Sequence, residues 1–296
     1  MALPALRLLA ASDCTPALVG RPWADDLFAG QGWSFSAISG RLLDDIARVR
    51  ALVRPLASTP RGVLLPNSFG AALLFRAAGI RSAGLATDRR ALLLDKAIPE
   101  PPRMHEVERF WRVAQGALAA WNLPSAFDQV PAELGLALAA RHKAAADRLI
   151  AEHRVPAPFA LIAPVATGLH HGRIKHWLHF AELIEALRDR GIEPVAMPPA
   201  LEAQATRAAL PGATILPPAS LGTYAAMASR AAVVIANDSG ISHVAAAVGA
   251  RQVTIFGVTE PDRTRPWNPR AVDAGRFGAW PAPREVLAAI DRALTL

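Results

Sequence analysis

The stretch Ala231-Ala-Val-Val-Ile-Ala-Asn237-Asp238-Ser239-Gly240-Ile-Ser-His243-Val-Ala-Ala-Ala-Val-Gly249-Ala-Arg-Gln-Val-Thr-Ile-Phe-Gly257-Val258 decides the fold. Its apolar, β-branched run over Ala232–Asn237 predicts a strand buried on both faces, as in a parallel sheet. Ser239-Gly240 predicts a tight turn, Ile241–Val248 a small-residue helix that Gly249 ends, and Gln252–Gly257 a second buried strand. A helix starting at Ser239-Gly240 points backbone N–H groups and its positive dipole end outward, which suits a pyrophosphate. Gly240 lets a ligand approach the backbone closely. Asp238 can accept hydrogen bonds from sugar hydroxyls, and His243, one turn into the helix, reaches the same ligand. Taken alone, Asp-Ser-Gly is also an ordinary helix cap.

Strand and helix alternate along much of the chain. Strands are expected at Pro16–Gly20, Trp33–Ser39, Gly62–Asn67, Phe159–Val165, Glu193–Met197 and Ala213–Leu216. Helical spacing marks Arg41–Leu56, Phe69–Ala78 and His176–Arg190. Phe110, Trp111 and Trp121 read as core at helical spacing. Prolines break the pattern over Pro124–Pro131 and at Val155-Pro-Ala-Pro158, with one long helix expected between them over Ala132–His153. The second break marks an interdomain linker. The fold class expected is α/β, with two Rossmann-like domains, 1–155 and 156–296, facing a cleft and built on parallel sheets. Ligands of such sheets bind outside the carboxyl ends of the strands.

Composition narrows the function classes. At 296 residues and 52% hydrophobic, the chain can bury a large core. No apolar run reaches the ~18 residues of a membrane span. The single cysteine, Cys14, excludes an internal disulfide and fits a reducing compartment, so the location expected is cytoplasmic. Of the net charge of +7, residues 1–150 hold 18 − 13 = +5 and residues 151–296 hold 14 − 12 = +2. A basic first half suits a phosphorylated or anionic partner, but no polybasic cluster with interleaved aromatics points to nucleic acid. His170, His171, His176 and His179 invite a metal, yet no cysteine or well-placed carboxylate completes a ligand shell, and none is expected. Hydrolase elbows, P-loops and dinucleotide fingerprints are absent.

The pattern Asp238-Ser-Gly-x-x-His243-x-Ala-Ala-x-x-Gly249, followed by a strand ending in Phe-Gly257, resembles the signature of family 9 glycosyltransferases, which include the lipopolysaccharide heptosyltransferases. Lys175-His176-Trp177 is similar to the family's Lys-x-Trp element, whose lysine contacts the nucleotide diphosphate. Lysine at a strand-to-helix loop is a good phosphate partner. Glu202 falls where the family holds the nucleotide ribose, although Met197-Pro198-Pro199 replaces the usual glycines. In the first half, Leu65-Pro-Asn67-Ser68-Phe-Gly-Ala-Ala-Leu-Leu74, Arg89-Arg90 and Met104-His-Glu-Val-Glu-Arg-Phe110 extend the resemblance and place Asn67, Ser68, Arg89 and Arg90 on the acceptor side.

The resemblance implies a two-domain GT-B architecture and an inverting transfer of heptose, or a related sugar, from ADP-heptose to a lipid-linked, phosphorylated core glycan. It implies peripheral contact with the inner membrane and no cofactor beyond the nucleotide-sugar. The family's general base is an aspartate in a Gly-Asp loop that precedes a Pro-Ala-Leu helix. Met1-Ala-Leu-Pro-Ala-Leu already lies in that helix, so the base is expected upstream of Met1. Asp13, which follows the helix, is not its equivalent. A non-catalytic sugar-nucleotide-binding protein and a sugar-nucleotide epimerase are the alternatives on the same architecture.

Overall fold

The structure is a computed structural model. It describes every residue except 13, 57, 88, 167, 168 and 171, and only the backbone at 169, 170, 173 and 174. Contacts divide the chain into two compact units, residues 1–28 with 32–131, and residues 29–31 with 132–296.

The first unit runs α1 (Leu3–Ala11), β1 (Ala17–Gly20), α2 (Pro22–Phe28), β2 (Ser34–Ala37), α3 (Leu42–Val53), β3 (Arg61–Leu64), α4 (Phe69–Ala77), β4 (Arg81–Leu85), β5 (Lys96–Ile98) and α5 (Glu106–Ala120). Its strands form two parallel sheets, β1-β2 and β3-β4-β5. Ala5 and Leu8 of α1 pack with Trp111, Val113, Ala114 and Leu118 of α5 in one apolar cluster; Val49 of α3 packs with Leu74 of α4 and with Ala78 at its end in another. At the start of α3 the Asp45 carboxylate accepts from the N–H groups of Ser39 and Gly40, both at 2.8 Å. Burial pushes its carboxyl up, but these bonds and the Ser39 hydroxyl outweigh burial and hold it below the usual range.

The second unit opens on α6 (Ala140–Glu152) and continues through β6 (Phe159–Ala163), the hairpin β7 (Leu169–His170) and β8 (Arg173–Ile174), α7 (Leu183–Arg188), β9 (Glu193–Ala196), α8 (Ala203–Ala209), β10 (Thr214–Ile215), α9 (Leu221–Ala228), β11 (Val233–Asn237), α10 (Gly240–Ala247), β12 (Gln252–Phe256), α11 (Pro261–Thr264), β13 (Ala271–Gly275) and α12 (Pro283–Thr295). Its main sheet is six-stranded and parallel throughout, in the order β10-β9-β6-β11-β12-β13. Counted along the chain that order is 3-2-1-4-5-6, the doubly wound Rossmann pattern. Every residue of β11 and β12 is buried, as the apolar runs require. One face packs Ile162, Val233, Ile235, Val253 and Ile255 against α7 and α12. The α/β class with parallel sheets read from the sequence therefore holds.

Two expectations change. The long helix over 132–153 is confined to Ala140–Glu152. Before it, Gly135 has φ +66°, and the Leu136 N–H donates to Ala247 O at 2.7 Å instead of to its own preceding turn. The contact boundary also falls at Pro131/Ala132, not at 155/156, because α6 packs on α9. There His142, buried in α6, lies flat against Gly222, where an added Cβ would meet the imidazole at 2.1 Å.

That contact yields a test whose sign is diagnostic. Inside a helix, Gly→Ala ordinarily stabilises by about 0.8–1 kcal/mol. Here the methyl overpacks a filled interface, so Gly222→Ala is expected to destabilise by about 1–3 kcal/mol in denaturant melts. Trimming the ring with His142→Ala should cancel most of the penalty that the methyl adds. Stabilisation by the single change would show that the contact is slack.

Candidate functional site

The switch point of the six-stranded sheet lies between β6 and β11, because the chain winds outward from β6 to β10 and then returns to the other side of β6. Lys175 follows β6, Glu202 follows β9, and Asp238, Ser239 and Gly240 follow β11. The three strands are adjacent and parallel, so the segments that carry these residues all leave from one edge of the sheet, Lys175 directly after the β7–β8 hairpin.

The start of α10 is built for close approach. A Cβ added at Gly240 would touch nothing within 4 Å, so space is open above the helix start. Ser242 anchors the turn: its hydroxyl donates to Ser239 O at 2.8 Å and accepts from the Ser239 N–H at 3.5 Å. Asp238 is 7% exposed, and its backbone N–H donates to Ile255 O at 3.1 Å, continuing the β11–β12 ladder. His243 Nε2 stands 4.0 Å from Asp238 Oδ1. Lys175 is half-buried, and Glu202, also half-buried, ends a short 3-10 turn over Ala200–Glu202.

Trp177, two residues beyond Lys175, is 2% exposed and fixed twice. Its backbone N–H donates to Asn237 Oδ1 at 2.9 Å, and its indole donates to Pro281 O at 2.9 Å. Its ring meets Phe180 edge-on, with centroids 5.3 Å apart. His179 pairs with Glu182 at 2.7 Å. His171 and the side chain of His170 lie outside the described residues. Among the described residues no group of three or more His, Cys, Asp or Glu is placed to hold a metal, and no helix is long and apolar enough to cross a membrane.

The acceptor-side candidates sit in the first unit, at the carboxyl ends of β3 and β4. Ser68 caps α4, its hydroxyl accepting from the Ala71 N–H at 3.4 Å. Asn67 is exposed and hydrogen-bonded through Oδ1 to the Thr87 hydroxyl. Arg89 is exposed, with φ 58°. Arg90 differs from its neighbour. It is wholly buried, and its guanidinium donates to Leu85 O at 2.8 Å and to Pro66 O at 2.6 Å. It therefore holds the loops that carry Asn67 and Arg89 together from beneath.

Asn237 and Asp273 escaped the reading of the sequence. For Asn237 a signal existed: an amide closing a strand buried on both faces must find partners for its donor and its acceptor. Asp273 sits within the apolar strand Ala271-Val-Asp-Ala-Gly275, opposite Thr254. Burial pushes its carboxyl up to about 6; Arg265 pulls it down, and Asp238 and Asp262 push it further up. Gly257 is fixed by packing, since a Cβ there would meet the Trp280 indole at 2.1 Å.

The Asp273 shift has a defined sign. The folded pKa stands above the ordinary ~3.9, so the folded state holds the proton more tightly. This contribution is fully present below that ordinary value and is lost as pH rises through about 6. Asp273→Asn should therefore gain stability relative to wild type progressively across this window and hold the gain above it. Denaturant melts at a series of pH values check this; a difference independent of pH would place the Asp273 carboxyl in water.

The model of glycosyltransferase family 9 (heptosyltransferase) matches residues 49–286. No curated protein sequence matches the chain. Among solved structures the fold is similar to E. coli ADP-heptose lps heptosyltransferase II, with a TM-score of 0.78 at 21% identity over 99% of this chain and 94% of that one. E. coli heptosyltransferase WaaC with ADP gives 0.72 at 19% identity over 97% and 91%. A family 9 glycosyl transferase from Veillonella parvula gives 0.67 at 15% over 81% and 70%. Identities this low speak to the fold alone, but the family match runs from α3 into α12 and includes every residue at the switch-point edge: the chain belongs to glycosyltransferase family 9.

Proposed function

We propose that this protein is an inverting glycosyltransferase that moves heptose, or a related sugar, from ADP-heptose to a lipid-linked, phosphorylated core glycan of lipopolysaccharide. The observation that carries the reading is the open start of α10 at the switch point of a 3-2-1-4-5-6 sheet, with Trp177, two residues beyond Lys175, hydrogen-bonded to the strand that leads into it. Family membership supports it, as does the likeness in fold to E. coli heptosyltransferase WaaC with ADP.

In this reading the acceptor hydroxyl oxygen attacks the anomeric carbon opposite the leaving group. The bond from that carbon to the β-phosphate oxygen breaks, and ADP departs with the electron pair. Negative charge grows on the diphosphate, and Lys175 with the N–H groups at the start of α10 stabilises it. A cation and a helix dipole perform this neutralisation without a metal. Glu202 accepts from the ribose hydroxyls, and Asp238, beside His243, accepts from the sugar. Asn67, Ser68 and Arg89 face the acceptor, while Arg90 keeps their loops in place. The acceptor's proton needs a base, a role that none of these residues is assigned. Such an acceptor places the protein at the cytoplasmic surface of the inner membrane, in peripheral contact.

The deciding assay is acceptor-dependent release of ADP from ADP-heptose. Release only when donor and acceptor are both present is the expected result. ADP binding without release would favour a non-catalytic binding protein, and conversion of the donor without acceptor an epimerase. By calorimetric titration, Lys175→Ala should weaken ADP binding at least tenfold, about 1.4 kcal/mol, the lower range for a charged contact. Gly240→Val has room for its side chain in the fold yet fills the ligand's space, so it should melt like wild type and fail to bind ADP. Wild-type affinity in both variants would move the diphosphate elsewhere.

A further inference from the structure

We infer that Asn237 is the positioning residue that delivers Lys175 to the diphosphate, by fastening both ends of one excursion of the chain to the strand that leads into α10. The inference rests on the donor-site reading above. Pro164 directly follows β6, and Trp177 lies two residues beyond Lys175, past the β7–β8 hairpin. Both ends are held by a single side chain: Asn237 Nδ2 donates to Pro164 O at 2.7 Å, and Asn237 Oδ1 accepts from the Trp177 N–H at 2.9 Å. Asn237 itself is 0% exposed.

The chemistry at this position admits few substitutes. One partner offers only a carbonyl and the other only an N–H, so the side chain must donate and accept at once, in a fixed orientation. Aspartate would set a second acceptor against Pro164 O. Leucine would leave the carbonyl and the N–H buried and unpaired. Lys175 lies two residues before the held N–H, and Ser239 lies two residues after Asn237. Each of these two-residue arms spans at most about 7 Å, so the amide limits how far Lys175 and Ser239 can stand from one another. Asp238, between Asn237 and Ser239, is placed by the same anchor.

The test is a double-mutant cycle on ADP binding, with wild type, Asn237→Ser, Lys175→Ala and the double variant, read by calorimetry. Asn237 is expected to act through Lys175. Each single change should then weaken ADP about tenfold, and the double variant should fall no more than about threefold below Lys175→Ala. Adenosine, which has no phosphate, should bind all four alike. A double variant about a hundredfold weaker than wild type, the product of two independent losses, would overturn the inference.

A second measurement needs no substitution. In wild type the Trp177 amide should exchange hydrogen as slowly as the amides of β11, and exchange at the rate of an open loop would overturn the lock. Absence of ADP binding by wild type would sink the donor-site reading and this inference together, whereas an additive cycle on a wild type that binds sinks this inference alone.

Discussion

The second unit is governed by how a parallel sheet grows. Each parallel crossover must pass over a face of the sheet, and a chain that has wound outward from β6 to β10 reverses its direction of growth by returning to the free side of β6. It does so at β11. The helix after β6 then packs into the apolar cluster of one face, with Leu183, Ile184 and Leu187, while α10 stays outside that cluster. In doubly wound sheets the loops on either side of such a reversal turn away to opposite faces, and ligands bind between them. The candidate site residues of the second unit follow strands that end at this edge.

The residues that follow these strands mix signs of charge, as the proposed nucleotide-sugar donor would require. A diphosphate calls for a cation and N–H donors, whereas sugar and ribose hydroxyls call for acceptors. In the proposed function, Lys175 and the start of α10 supply the first, and Asp238 and Glu202 the second. Carboxylates collected near one another repel, and burial adds to the penalty of ionisation. At Asp273 these effects outweigh the nearby Arg265 and leave the carboxyl well above its ordinary range. Asp45, of the same residue type and also buried, goes the other way because two backbone N–H groups and a hydroxyl point at it. Hydrogen-bond donors, more than depth, separate the two.

How much of this was legible follows the same physics. Strands buried on both faces announce themselves as unbroken apolar runs, and those at Val233–Asn237 and Gln252–Phe256 are found to within a residue. Arg81–Leu85, Lys96–Ile98 and Ala271–Gly275 went unread. The first is made of Arg-Ser-Ala-Gly-Leu, with little β-branched content. Its Gly84 is small for a reason that arises only in three dimensions, since an added Cβ would lie 3.1 Å from Leu64 Cβ and 3.3 Å from the Arg90 guanidinium. The helix expected over 132–153 is too long because its residue types permit a helix throughout, while the competing hydrogen bond from Leu136 goes to Ala247, over a hundred residues away. At the site, motif residues at strand ends could be placed from the sequence. The holding roles of Asn237 and Arg90 could not be assigned in detail, because their partners are backbone carbonyls and N–H groups that carry no sequence identity.

The packing of α6 on α9 bears on how the two halves of such a chain can be exchanged. Prolines at Val155-Pro-Ala-Pro158 look like a natural cut, yet a splice there would leave α6 with the wrong half. The exchanged domain would show water the bare surface of α9, with Gly222 presenting a hollow shaped to an imidazole that is no longer present. A graft made at Pro131 keeps α6, and with it the Leu134–Leu136 segment that runs alongside α10, on the side where they fold. Under the proposed function, a donor specificity moved between relatives should travel as residues 132–296 together with residues 29–31, helix included.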